Sequence, residues 1–152
     1  MIVSANTASQ QLEKTMWIAL TQRFSTFNAN LKLTDDQIAD GATKHHGVRN
    51  CLNRAYYDLS SDTANSFLIG SWAKGTRVRP PRDVDLYFVM PYADYLRFQE
   101  YTGNRQSALL QEVKSVLQKT YSATDMSGDG QVVVVSFSTI SVEVVPVFLL
   151  DN

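Results

Sequence analysis

An α+β fold is predicted by three observations. Apolar positions recur at helical spacing in two long N-terminal segments, nearly uncharged valine-rich runs close the chain, and an alternating strand between them carries two aspartates. At 152 residues with 44% apolar composition, the chain is long enough to bury one sizeable core and short enough for one domain, residues 1–152.

The first helix is read over Thr7 to Phe27, where Leu12, Met16, Ala19, Leu20, Phe24 and Phe27 form a stripe expected to face the core. A turn near Asn28 to Leu33 follows. Thr34 with Gln37 three residues later forms a capping-box signature. Ile38, Ala42, His45, Val48, Leu52, Ala55, Tyr56 and Leu59 then mark a second long helix, weakened by Gly41 and Gly47.

After a polar turn, Ser66 to Gly70 reads as a short buried strand and Ser71 to Arg82 as a loop. Asp83 to Met90 alternates as a strand and is closed by Pro91. Tyr92 to Tyr101 and Asn104 to Tyr121 have helical spacing. Ser127 to Gly130 has the composition of a turn, and Gln131 to Phe137 and Ser141 to Phe148 read as strands.

Charge narrows the function. Fourteen Lys and Arg against fifteen Asp and Glu give a net charge of -1, so no global field draws the chain onto nucleic acid, and any anion site must be local. A lone Cys51 forms no internal disulfide, and no basic start leads into a long apolar run, so a cytoplasmic location is expected. The apolar stretches 131–137 and 141–150 fall short of the ~20 residues that span a bilayer, so no membrane association is expected.

The chemistry concentrates in three places. Asp83 and Asp85 stand one residue apart on a strand, so the period of two puts both carboxylates on one face. Their repulsion calls for compensating positive charge, and Mg²⁺ suits such oxygen ligands. Gly70-Ser71 opens a small-residue turn able to approach phosphate, and Lys74, Arg77, Arg79 and Arg82 place four cations in nine residues without an acid. Lastly, Glu143 interrupts an otherwise apolar strand, and burying an unpaired carboxylate is expensive. A solvated strand face, an ordinary basic turn and an edge-strand glutamate would explain each feature alone; a shared site explains all three.

Other residues read as structural. Adjacent His45 and His46 are expected to point apart on a helix, Cys51 to be a small core residue, Trp17 to pack in its helix and Trp72 to cap the loop.

Gly70-Ser71, Asp83-Val-Asp85 and the Val-Glu-Val-Val-Pro context of Glu143 together resemble the polymerase β-like nucleotidyltransferases. The strings Leu68-Ile-Gly-Ser-Trp-Ala-Lys-Gly-Thr76 and Arg79-Pro-Pro-Arg-Asp-Val-Asp-Leu-Tyr-Phe88 are most similar to the bacterial CD-NTases. These are cyclic-oligonucleotide synthases related to cyclic GMP-AMP synthase and 2′-5′ oligoadenylate synthetase. The resemblance runs from about Ile38 to Phe148, with Glu143 where many members carry aspartate.

That resemblance implies a palm-like core with a mixed, mostly antiparallel sheet and a long N-terminal spine helix, the family's C-terminal helical domain being absent. It implies Asp83, Asp85 and Glu143 as catalytic Mg²⁺ or Mn²⁺ ligands, and Gly70, Ser71, Lys74 and Thr76 as nucleotide-binding residues. ATP, GTP or pyrimidine triphosphates would be joined into a cyclic di- or trinucleotide for anti-phage defence, with a regulatory protein or effector of a defence operon as partner. The same core could transfer a nucleotide to a tRNA, protein or small molecule, or bind nucleotide without turnover.

Overall fold

Valine-rich strands and two capped helices divide the chain into a sheet and its cover. In the computed structural model, which describes residues 3–149, the elements run α1 (Val3–Leu31), α2 (Asp35–Tyr57), β1 (Ser66–Leu68), α3 (Gly70–Lys74), β2 (Asp83–Val89), α4 (Tyr92–Gln99), α5 (Arg105–Thr120), β3 (Asp125–Asp129), β4 (Val132–Ser136) and β5 (Ser141–Val147). Leu150, the end of the last apolar run, lies outside the described residues.

The strands form one sheet in the order β1-β2-β5-β4-β3. Every neighbouring pair is antiparallel except β2 with β5. A parallel pair needs a long crossover, and here α4, α5 and the β3–β4 hairpin supply it.

Alternation then sorts the side chains. Val84, Leu86 and Phe88 of β2, Val133 and Val135 of β4, and Val142 and Val144 of β5 are fully buried against Val48 and Leu52 of α2 and Val113 and Leu117 of α5. Complete burial of each such side chain stabilises by roughly 1.5–3 kcal/mol. The intervening residues are only half-buried and lie on the opposite, outer face.

The second helix starts as expected. The Thr34 hydroxyl accepts from the Gln37 amide at 3.2 Å, while the Gln37 side chain accepts from the Thr34 amide at 3.0 Å. It ends at Asp58, in the left-handed conformation at φ 50°. His45 is buried, as a packed histidine should be, and is held down to a pKa of about 4 by burial and by the His46 and Arg49 charges. Cys51 packs at the core's margin with its Sγ 3.2 Å from the Thr120 hydroxyl.

Two polar side chains of α2 tie the following turn to the sheet. Arg49, 7% exposed, donates from Nε to the Ser66 hydroxyl at 2.7 Å and from its terminal nitrogen to the Thr63 and Ser66 carbonyls at 3.0 Å. Asn53 is fully buried; its amide nitrogen lies within 3.1 Å of the Arg49, Ser61 and Ala64 carbonyls, and its oxygen accepts from Asn65 at 2.9 Å. With two protons shared among three carbonyls, this side chain supplies the bonding that the irregular turn cannot make for itself.

Several expectations need correction. The first helix extends to Leu31, and its side chains from 7 to 30 are all exposed, so the apolar stripe, Trp17 included, does not face the core. Ser127 to Gly130 is not simply a turn: Asp125–Asp129 pairs with β4, and the turn is confined to Gly130 and Gln131, with Gly130 at φ 58°. The loop after Gly70 begins with the short helix α3, and the His45 and His46 rings stack, centroids 4.4 Å apart, rather than diverge.

Replacing Asn53 by alanine should lower stability by about 2–4 kcal/mol, because a fully buried side chain is removed and the Arg49, Ser61 and Ala64 carbonyls each lose a bond to it. Urea unfolding should show an earlier midpoint at an unchanged m-value.

Candidate active site

The parallel pairing of β2 with β5 decides where the acids fall. Its register sets Asp83 opposite Ser141 and Asp85 opposite Glu143. Directly paired residues project to the same side of a sheet, so Asp83, Asp85 and Glu143 share the outer face. Since β5 lies between β2 and β4, Glu143 is on an inner strand and is not an edge-strand glutamate.

These carboxylates feel one another. Burial, then the Asp83 charge, pushes Asp85 above the ordinary carboxylate range. Glu143 is pushed up by burial and by the charges of Asp83, Asp85 and Asp129, in that order. Asp129 reaches this face because it pairs with Val132, on the same side of β4 as Val134, the partner of Glu143. The turn composition around Asp129 hid this role in the sequence.

Gly70 fixes the second boundary of the site. The residue sits at φ 60°, and a β-carbon there would lie 1.8 Å from Asp85 Oδ2. Only glycine both adopts this conformation comfortably and leaves room for the carboxylate. The Ile69 amide also donates to the Asp85 carbonyl at 3.0 Å, so the start of α3 is fastened to the strand that carries the acids.

Trp72 anchors α3 from below. It is 6% exposed and packs edge-on to His45, with Arg77 stacked 4.6 Å above its ring. At Gly41 a β-carbon would come within 2.4 Å of the indole, which explains a glycine in the middle of α2. Trp72 is thus a core anchor rather than a loop cap.

Beside the acids, a cleft of about 290 Å³ is lined by Ser71, Thr76, Arg77, Arg79, Arg82 and Asp83, among others. The cationic run is therefore folded back towards the first aspartate. Arg79 is partly engaged, donating from Nε to the Lys32 carbonyl at 3.1 Å. Lys74 is exposed in the last turn of α3 and does not line the cleft.

By type, the three carboxylates are the hard oxygen donors that a divalent cation takes. Two of the three, Asp85 and Glu143, are raised first by burial and then by repulsion from their acidic neighbours, and a bound cation would offset the repulsion. Among the described residues, no group of three or more His, Cys, Asp and Glu side chains is arranged to hold a metal ion. The acids share a face and a field, and the cationic cleft adjoins them at Asp83.

Comparisons with known proteins bear on the fold and the family. No curated protein matches the chain. Among solved structures, CdnC of E. coli in complex with HORMA-deltaN is similar at a TM-score of 0.57 and 22% identity, over 87% of this chain and 41% of that one. CdnC with ATP follows at 0.55 and 21%, over 82% and 39%. The CdnE cyclic dinucleotide synthase of Elizabethkingia meningoseptica, with GTP and Apcpp, aligns at 0.52 and 18%, over 80% and 46%. The chain spans less than half the length of these proteins, and the likeness is one of fold. Residues 18–152 match the profile of the Second Messenger Oligonucleotide or Dinucleotide Synthetase domain, and the chain belongs to that family.

Proposed function

We propose that this chain is the catalytic core of a metal-dependent nucleotidyltransferase that joins nucleoside triphosphates into a cyclic di- or trinucleotide and releases pyrophosphate. The observation that carries the reading is the register of Asp85 with Glu143 beside Gly70, which gathers acids from distant segments onto one face. Family membership supports the reaction class. The structures of CdnC with ATP and of CdnE with GTP support nucleoside triphosphates as substrates.

In this reading Asp83, Asp85 and Glu143 hold Mg²⁺ or Mn²⁺, which when bound supplies charge neutralisation and lowers the pKa of the acceptor hydroxyl. Ser71, Thr76 and Arg82 receive the β- and γ-phosphates in the cleft next to Asp83. The acceptor oxygen attacks the α-phosphorus, the bond to the pyrophosphate oxygen breaks, and the pyrophosphate departs towards those cationic groups. Positioning and charge compensation supply most of the rate.

Control by a regulatory protein belongs to the same proposal, supported by the HORMA-deltaN complex of CdnC, and a role in anti-phage defence rests on the family resemblance alone.

Asp83→Asn combined with Asp85→Asn should abolish incorporation of labelled nucleotide by a full-length version of the protein; product formed at the wild-type rate would overturn the mechanism. Gly70→Ala should cost about a hundredfold in rate, since an ångström-scale displacement of Asp85 misplaces the reacting groups.

Stability gives a separate check. Asp85 and Glu143 bind protons more tightly folded than unfolded, so between the unfolded carboxyl pKa of about 4 and their raised folded values the native state holds more protons and stability falls as pH rises. In a chelator, Glu143→Gln should therefore melt at a higher temperature than the wild type at neutral pH. The advantage should fade as pH falls towards about 4, where the unfolded carboxyl titrates. Adding Mg²⁺ should raise the wild-type midpoint and narrow the gap.

A further inference from the structure

We propose that Phe67 and Tyr87 seat the base of the acceptor nucleotide, an inference that rests on the nucleotidyl-transfer reading of the adjoining acids. Tyr87 follows Asp85 by two residues on β2, so it stands on the same outer face, about 7 Å further along the strand. Its partner across the antiparallel pair is Phe67 of β1. The two rings meet edge to face, with centroids 5.4 Å apart and planes inclined at 78°. Val145, paired with Tyr87 on the other side, continues the apolar surface.

Cross-strand packing explains the contact between the rings. It does not explain why Phe67 is left 47% exposed beside a charged site. The direction of the reaction supplies an explanation. In an in-line displacement the nucleophile enters opposite the leaving group. The pyrophosphate side is marked by Ser71, Arg82 and Asp83, which line one cleft at the start of β2. The acceptor is then placed on the Asp85 and Glu143 side, and its nucleoside extends along β2 towards Tyr87.

An acceptor hydroxyl near Asp85 and Glu143 thus brings the base over the aromatic pair, with the ribose spanning the gap. Stacking on such rings tolerates any base, because every base offers a π-face. The pair therefore orients the acceptor rather than selecting it, and base choice lies elsewhere.

The test titrates the protein with adenosine, guanosine, cytidine and uridine, which lack the phosphates the donor site requires, without metal, and follows aromatic NMR signals. Adenosine should shift the Phe67 and Tyr87 ring signals. Phe67→Leu should weaken its binding about tenfold, within the range that loss of one stacking partner produces, and Phe67→Trp should restore it. Tyr87→Leu provides a second loss, with its thermal midpoint recorded to show that the fold is retained.

In the same variants, Mg²⁺-dependent binding of inorganic triphosphate, which has no base to seat, should be unchanged, because the donor cleft does not include either ring. If nucleosides leave both ring signals unmoved, or if Phe67→Leu and Tyr87→Leu bind adenosine as the wild type does, the acceptor seat is refuted. Should Mg²⁺-dependent triphosphate binding persist in that case, the reading of the acids stands. Should it be absent from the wild type, that reading falls as well.

Discussion

The parallel pairing of β2 with β5 is the constraint on which the site depends. Asp85 and Glu143 are far apart in the chain, and only the register of these two strands makes them neighbours. A slip of one residue would turn Glu143 into the valine core and bring Val142 or Val144 onto the acidic face. Such a slip is opposed by the four fully buried residues Val84, Leu86, Val142 and Val144, whose burial is worth several kcal/mol in sum. The core thereby stabilises an arrangement that electrostatics alone would disfavour, since the acids repel.

The second helix holds the other half of the site in place. Through Gly41 and His45 it receives Trp72, and through Arg49 and Asn53 it fixes the turn that leads into β1. Both the short helix after Gly70 and the edge strand bearing Phe67 are positioned by this one rigid element. Its own integrity at the N-terminus comes from the reciprocal bonds of Thr34 and Gln37.

Much of this was legible in the sequence, for identifiable reasons. A period of two placed Asp83 and Asp85 on one face, and the cost of an isolated acid singled out Glu143. The capping box located the start of α2 to the residue. The strand Asp125–Asp129 escaped notice because its Ser-Gly-Asp segment has turn composition, and pairing with a valine-rich neighbour overrode that local preference. Arg49 and Asn53 look like solvated helix positions until the turn folds over them. Periodicity found α1 but carried no information about what its apolar stripe would meet, and in the described structure that stripe is exposed.

The close seat of Asp85 against Gly70 has a mechanical consequence. With no space between carboxylate and backbone, and with the Ile69 amide bonded to the same residue, the strand and the start of α3 behave as one lever. In the proposed reaction, a displacement of that helix by incoming phosphate would be transmitted to Asp85 through this contact. Donor occupancy and alignment of Asp85 would then be coupled.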